Sequence, residues 1–444
     1  MSLPIPTTVQ ELREALRAKA KGEPKFRFYS LYDKVYRKDV LWSALRRCRS
    51  NGGKPGVDDQ TFEDMDDYGE ARWLDELAEE LRTKTYRPQP VRRGYIPKPD
   101  GKLRPLGIPT IKDRVVQTAL LIVLEPIFEV DLSDEQYAYR AERSALDAVD
   151  AVHKLLNTGY TDVVDADLSG YFDSIPHAEL MRCVARRVSD KAVLHLVKMW
   201  LEAPVEEKDA RGRVSRTTRN KDDGRGSPQG SPISPLLANL YMRRFILGWK
   251  ALGHERAFRA RIVNYADDFV ICCRGSALEA AEAMREMMSR LKLTVNEQKT
   301  KLCQVPAEMF DFLGYTFGRC YSQKTGRAYL GTRPSKRKVQ KICREISELT
   351  HRRTTSSEPE TVVRRLNTKL IGWAKYFRLG PVGTAYRAID EHAARRLRQW
   401  LCRKHGVQGA KYPRFPDNHL RQELGLIRLA ATTRNLPWAK ARAT

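Results

Sequence analysis

The sequence predicts an α/β chain in which strands bearing carboxylates lie in the middle and a strongly basic helical module follows. Three observations predict it. Residues 161–168, Thr-Asp-Val-Val-Asp-Ala-Asp-Leu, alternate acidic and apolar side chains with a period of two, which marks a strand and puts Asp165 and Asp167 on one face. Residues 261–272, Arg-Ile-Val-Asn-Tyr-Ala-Asp-Asp-Phe-Val-Ile-Cys, form an apolar run interrupted by the adjacent Asp267 and Asp268. Val362, Leu366, Leu370, Trp373 and Phe377 recur at spacings of four, four, three and four, the stripe of an amphipathic helix.

At 444 residues the chain has room for two or three domains of about 150 residues each. Hydrophobic residues make up 41% and charged residues 30%, a balance that supports a packed core and excludes wholesale disorder. The longest apolar stretch, Val115 to Leu124, is closed off by Arg114 and Glu125 and is too short to span a membrane. The first residues mix Glu11, Arg13, Glu14 and Arg17 with Leu12 and Leu16, so no secretory leader is expected. None of the eight cysteines forms a C-x-x-C pair, and reduced thiols are expected.

Along the chain, the region to about residue 90 reads as helices broken by the turn formers of Ser50 to Gly56. Trp73 to Thr83 has the pattern of an amphipathic helix that Pro88 and Pro90 keep from continuing. Lys98 and Arg104 flank a Pro-Asp-Gly turn and should project from the two arms of a hairpin, where taken alone they read as solvated surface charges. Paired aspartates in so apolar a context repel and lose hydration unless a hard divalent cation lies between them, and Mg²⁺ suits such an all-oxygen site. A plain hairpin tip at Asp267-Asp268 is the other reading of these two residues. Ser276 to Leu293 should be a helix with Leu278, Ala281, Met284, Met288 and Leu291 facing the core. Phe310 to Phe317 alternates aromatic and small residues, as in a strand or hairpin.

Charge is distributed unevenly. The chain carries 80 Lys and Arg against 55 Asp and Glu, a formal net charge of +25, which points to a polyanionic partner. Residues 331–444 hold 26 of the cations and 8 of the acids, with a boundary expected near Gly331 to Pro334 and a second break at Thr354 to Pro359. Arg364, Arg365, Lys369 and Lys375 fall off the apolar stripe of their helix. A solvated helix face accounts for that placement, but not for so large an excess of one sign.

Four ordered motifs resemble the catalytic signature of reverse transcriptases: Tyr95 to Pro109, Asp167-Leu-Ser-Gly-Tyr-Phe-Asp173, Gly226-Ser-Pro-Gln-Gly-Ser-Pro-Ile-Ser-Pro-Leu-Leu-Ala-Asn239, and Tyr265-Ala-Asp-Asp268. In order and content they look most like the proteins encoded by bacterial group II introns, from about residue 30 onward. The resemblance implies a right-hand polymerase. An N-terminal helical extension and the start of the fingers (1–90) would precede fingers and palm with an antiparallel sheet (91–330). A helical thumb or maturase domain (331–410) and a basic tail able to touch DNA (411–444) would follow.

The same resemblance implies RNA-directed DNA synthesis from a 3′-hydroxyl primer of DNA or RNA, with binding of group II intron RNA and of target DNA. Asp167, Asp267 and Asp268 would hold two Mg²⁺ ions. Asp165 lies on the same strand face, but the motif aligns its ligand to Asp167. Phe172 would stack under the sugar of the incoming dNTP and exclude a 2′-hydroxyl. Lys98, Arg104, Leu168, Gln229 and Lys299 would contact the nucleotide, Lys299 as a candidate acid for pyrophosphate. Phe312, Leu313 and Gly314 would grip the primer by stacking and backbone contact. Arg364, Arg365, Lys369 and Lys375 would contact RNA. With no span or leader expected, the location expected is cytoplasmic, associated with the nucleoid. Ser231-Pro232 departs from the glycine and aliphatic residue more usual there. With no paired cysteines and no His-Asn signature late in the chain, no H-N-H nuclease is expected. The sequence leaves open a free-standing reverse transcriptase serving repair or defence, and an RNA-binding splicing factor without polymerase activity.

Overall fold

The longest apolar run of the sequence becomes a helix buried on every side. In the computed structural model, which describes residues 6–97, 101, 103–209, 211–322, 325–408 and 411–432, Ile111–Glu129 is helical. Val115, Val116, Ala119, Leu120, Val123 and Leu124 are all fully buried, as expected of a helix that is apolar all round and sits at the centre of a domain. The helices Thr7–Gly22 and Lys38–Asn51 pack against it. No described helix is long and apolar enough to cross a membrane.

The chain forms two interleaved units. The first takes the described residues of Met1–Arg143, Ala166–Phe269 and Glu279–Thr300, and the second those of Ser144–Asp165, Val270–Leu278 and Lys301–Thr444. The described strands are β1 (Val91–Pro97), β2 (Leu103–Ile108), β3 (Asp162–Asp167), β4 (Val205–Lys208), β5 (Val214–Thr217), β6 (Arg261–Tyr265), β7 (Asp268–Cys273), β8 (Lys301–Gln304), β9 (Phe310–Phe312), β10 (Tyr315–Tyr321) and β11 (Ala328–Pro334). They form three sheets, ordered β2-β1-β4-β5, β6-β7-β3-β8 and β11-β10-β9. Mixed α/β structure with antiparallel pairing thus meets the expected class, and the region after β11 is helical.

In the first unit, β1 and β2 make the expected antiparallel hairpin, with Ile96 opposite Arg104. Parallel pairing of β1 with β4 and antiparallel pairing of β4 with β5 complete that sheet. Arg187, fully buried, donates to the carbonyls of Ala20 (2.6 Å), Glu23 (3.0 Å) and Pro24, and lies 3.4 Å from Asp131 Oδ2. One guanidinium thereby ties down the end of the Thr7–Gly22 helix. The Trp73–Thr83 expectation corresponds to the helix Glu70–Arg82.

The helix expected over Ser276–Leu293 runs Ala277–Arg290 and buries Ala281, Met284 and Met288. Leu278 is a correction: it is 57% exposed. At 100° per residue, the stripe through Ala281, Met284 and Met288 leaves Leu278 well round toward solvent.

In the second unit, Asp162–Asp165 of β3 pair antiparallel with β8, which puts Lys301 opposite Asp165. The β9–β10 turn uses Leu313 and Gly314, both at positive φ (50° and 85°), the tight geometry that hairpin twist favours. Gly331–Pro334 are the end of β11, and a helix starts at Lys336. Helices Lys336–Leu349, Pro359–Tyr376 and Gly383–Lys404 close over a core that includes Ile342, Ile346, Leu366, Leu370, Ile389 and Trp400.

Candidate active site

Every residue of this site that the structure describes belongs to the first unit. The Tyr265-Ala266-Asp267-Asp268 turn joins β6 to β7, and Ala266 takes φ 59°, a left-handed conformation unusual for a residue with a Cβ. The buried Asn264 fixes it by donating its side-chain amide to the Ala266 carbonyl at 2.9 Å. Asn264 also pairs through its backbone with the Glu135–Tyr137 segment, which places Tyr139 beside the turn. Asp267 is half-buried and Asp268 exposed, so the adjacent acids see different surroundings.

Asp167 ends β3. Its main-chain carbonyl accepts from Asn296 N (2.8 Å), and Leu168 bridges Val295, which brings the Leu293–Thr300 segment against it. Its carboxylate accepts from Asn296 Nδ2 and from Lys299 Nζ, both at 3.0 Å. The Lys299 ammonium is held above its ordinary range, first by that hydrogen bond and then by the charges of Asp167, Asp268 and Asp267. Asp267 is pushed up from the usual carboxylate range by burial and by the like charge of Asp167, against the pull of Arg104 and Lys299.

Phe172 is half-buried and meets Tyr139 edge-on at 6.5 Å and Tyr171 at 5.8 Å. The Phe172 carbonyl accepts from Ser227 N (2.8 Å), which straps the Gly226–Gly230 loop to it. Gln229 Nε2 lies 3.3 Å from Asp173 Oδ2, and the Gln229 carbonyl accepts from Gly107 N of β2 at 2.7 Å. Gly230 sits at φ 117°, where a Cβ would come within 2.6 Å of the Gly107 carbonyl oxygen. Arg104 is exposed on β2, and its charge acts on Asp267 and Tyr139. Residues far apart in sequence therefore converge: Arg104, Tyr139, Asp167, Phe172, Gln229, Asp267, Asp268 and Lys299.

Other expected contacts fall differently. Lys98 lies outside the described residues. Leu168 is 3% exposed, so its side chain belongs to the core and only its main chain could face a nucleotide. Phe312, in the second unit, is a correction: at 2% exposure its ring cannot stack on a primer, because β9 turns it inward. Leu313 and Gly314 are half-buried, and their carbonyls accept from Tyr376 Oη and Ser335 N. Arg364, Arg365, Lys369 and Lys375 are exposed on the Pro359–Tyr376 helix, Lys369 in an ion pair with Glu345 at 3.0 Å. Asn296, Tyr139 and Asp173 were not foreseen. Asp173 lay in a motif already singled out, whereas Asn296 and Tyr139 had no periodic or charge signal.

Among the described residues, no three His, Cys, Asp or Glu side chains converge tightly enough to enclose a metal. The donor set still fits a hard cation. Asp267, half-buried and pushed up by burial and by the charge of Asp167, is what a divalent ion between the two would relieve.

The chain matches the family model "Reverse transcriptase (RNA-dependent DNA polymerase)" over residues 96–317 and the model "Group II intron, maturase-specific domain" over residues 339–414. It is 33% identical to Protein YkfC of Escherichia coli strain K12 over 367 residues, covering 74% of this chain and 93% of that protein. It is 29% identical to the group II intron-encoded protein LtrA of Lactococcus lactis over 353 residues, covering 65% of this chain and 56% of LtrA. It is also 28% identical to a putative COX1/OXI3 intron 1 protein of Saccharomyces cerevisiae, of which it covers 38%.

Proposed function

Because the chain belongs to the reverse transcriptases of the group II intron type, we propose that it extends a 3′-hydroxyl primer with dNTPs on an RNA template and assists splicing of an intron RNA. The observation that carries the reading is the meeting of Asp167 with the Asp267-Asp268 turn, under the charges of Lys299 and Arg104. Asp167, Asp267 and Asp268 would hold two Mg²⁺ ions, which when bound supply charge stabilisation to the attacking hydroxyl and the departing pyrophosphate.

The chain's own residues do the rest. Arg104, with Lys98, draws in the triphosphate as a charge-assisted partner. Phe172, braced edge-on by Tyr139 and Tyr171, walls the position where a 2′-hydroxyl would project. Gln229 is held on a loop pinned to both Phe172 and β2, a rigid mount for contact with nucleotide or template. Lys299, kept protonated beside the carboxylates, is the candidate acid for pyrophosphate.

In this reading residues 1–90 lead into a right-hand arrangement with fingers and palm over 91–330 and a thumb over 331–410, with 411–444 available to DNA. Arg364, Arg365 and Lys375 present free charge to intron RNA, and Leu313-Gly314 offers backbone contact to a primer. The work would be done in the cytoplasm. RNA-templated incorporation by the purified full chain tests it: dNTP incorporation that requires both an RNA template and a paired 3′-hydroxyl primer is expected, and incorporation independent of the template would overturn it.

A further inference from the structure

Two helices of the first unit place matching stripes side by side. On His177–Ala185 and its capping residue, Glu179, Arg182, Cys183 and Arg186 occupy positions i, i+3, i+4 and i+7. On Ser234–Ala251, Leu240, Arg243, Arg244 and Leu247 do the same. That spacing normally makes a packing seam. Here the two stripes, with Phe128 and Asp131, line a cavity of about 270 Å³ that four arginines border.

The two acids at the cavity are two against four, and both are shared with other cations. Asp131 forms an ion pair with the buried Arg187, and its carbonyl accepts from Arg243. Glu179 is committed to Lys292 at 2.7 Å. Arg182, Arg186 and Arg244 are exposed, and Arg244's polar contact is a long one to Tyr241 Oη at 3.4 Å. Burial and the neighbouring Arg186 act against the charge on Arg243, and Asp131 offsets them only in part. Like charges gathered in a concavity are unfavourable unless an anion completes them.

We propose that this pocket is a phosphate-binding site for a nucleic-acid backbone, separate from the carboxylate site. Planar guanidinium forks match the oxygens of a phosphodiester, and converging arginines hold such a group bidentately. The cavity is at the small end of ligand pockets, with room for one or two backbone phosphates rather than a whole nucleotide. The inference goes beyond polymerisation, since none of these residues takes part in the proposed chemistry.

The test compares the salt dependence of binding for the full chain and an Arg186→Gln, Arg244→Gln double variant, using an RNA hairpin and a DNA duplex as separate probes. Each phosphate contact contributes about 0.9 to the slope of log K against log salt on duplex DNA, so the variant should lose about two from that slope with the probe that binds here. An unchanged slope with both probes would overturn the site. A second readout is local: alkylation of the half-buried Cys183 by N-ethylmaleimide should slow several-fold in the wild type when that probe is bound, and the double variant should lose the protection. Protection by inorganic phosphate alone and by neither nucleic acid would make it a free-anion pocket and overturn the backbone assignment. Template-dependent extension by the variant at low salt would separate this outcome from failure of the polymerase reading.

Discussion

At the scale of single residues, a few side chains act across long sequence separations. Arg187 is one. Its replacement by Met would leave three helix-end carbonyls without a donor and Asp131 without its cation. A loss of about 3 kcal/mol in urea unfolding is expected, and a loss below about 1 kcal/mol would show that the buried guanidinium does not tie the helix. Phe172 is another. Phe172→Ala should raise ribonucleotide incorporation relative to deoxynucleotide by about tenfold or more in single-nucleotide extension, since a hydrophobic wall discriminates by roughly that much. An unchanged ratio would remove Phe172 from sugar selection. The three aspartates were legible because carboxylates in apolar strands conflict with burial and need a reason, whereas Lys299 was reached only through the resemblance. Asn296 and Tyr139 were not legible, since an amide just before a turn and a tyrosine within one carry no such conflict.

At the scale of elements, what the sequence discloses is local. Period-two alternation located β3, and a turn tripeptide located the β1–β2 hairpin. It could not disclose that β1 would pair in parallel with β4, because β4 and β5 are four-residue strands with mostly exposed, polar side chains and no apolar face to announce them. The aromatic alternation of β9 and β10 was legible as a strand or hairpin, but period two does not say which face is buried, and the resemblance assigned Phe312 to the primer when it belongs to the core.

Within the second unit, Gly380 joins the Pro359–Tyr376 and Gly383–Lys404 helices at φ 73°, where a Cβ would lie 1.7 Å from the Thr332 carbonyl oxygen of β11. Gly380→Ala should cost about 2 kcal/mol or more, read as a lower melting temperature for helical circular dichroism. A melting curve that superimposes on the wild type would mean the backbone does not approach there.

At the scale of the whole molecule, two chemistries share one chain. An acidic centre is built in the first unit, while 26 of the 80 Lys and Arg lie in residues 331–444 against only 8 acids. Such a distribution suits a partner that is a polyanion throughout and whose reacting end must be delivered to carboxylates. Both the class of fold and the central acids could be read beforehand. The pocket of four arginines could not, because its halves lie on helices some 60 residues apart, and each alone looks like a solvated face.

The most direct test of the central claim is primer extension on an RNA template with Mg²⁺ and dNTPs by the wild type and by an Asp267→Ala, Asp268→Ala double variant, with RNA affinity measured on both. The account predicts extension by the wild type, a loss of about a thousandfold or more in the variant, and RNA binding that survives. Equal extension by the two proteins, or tight RNA binding by a wild type that extends nothing, would contradict it.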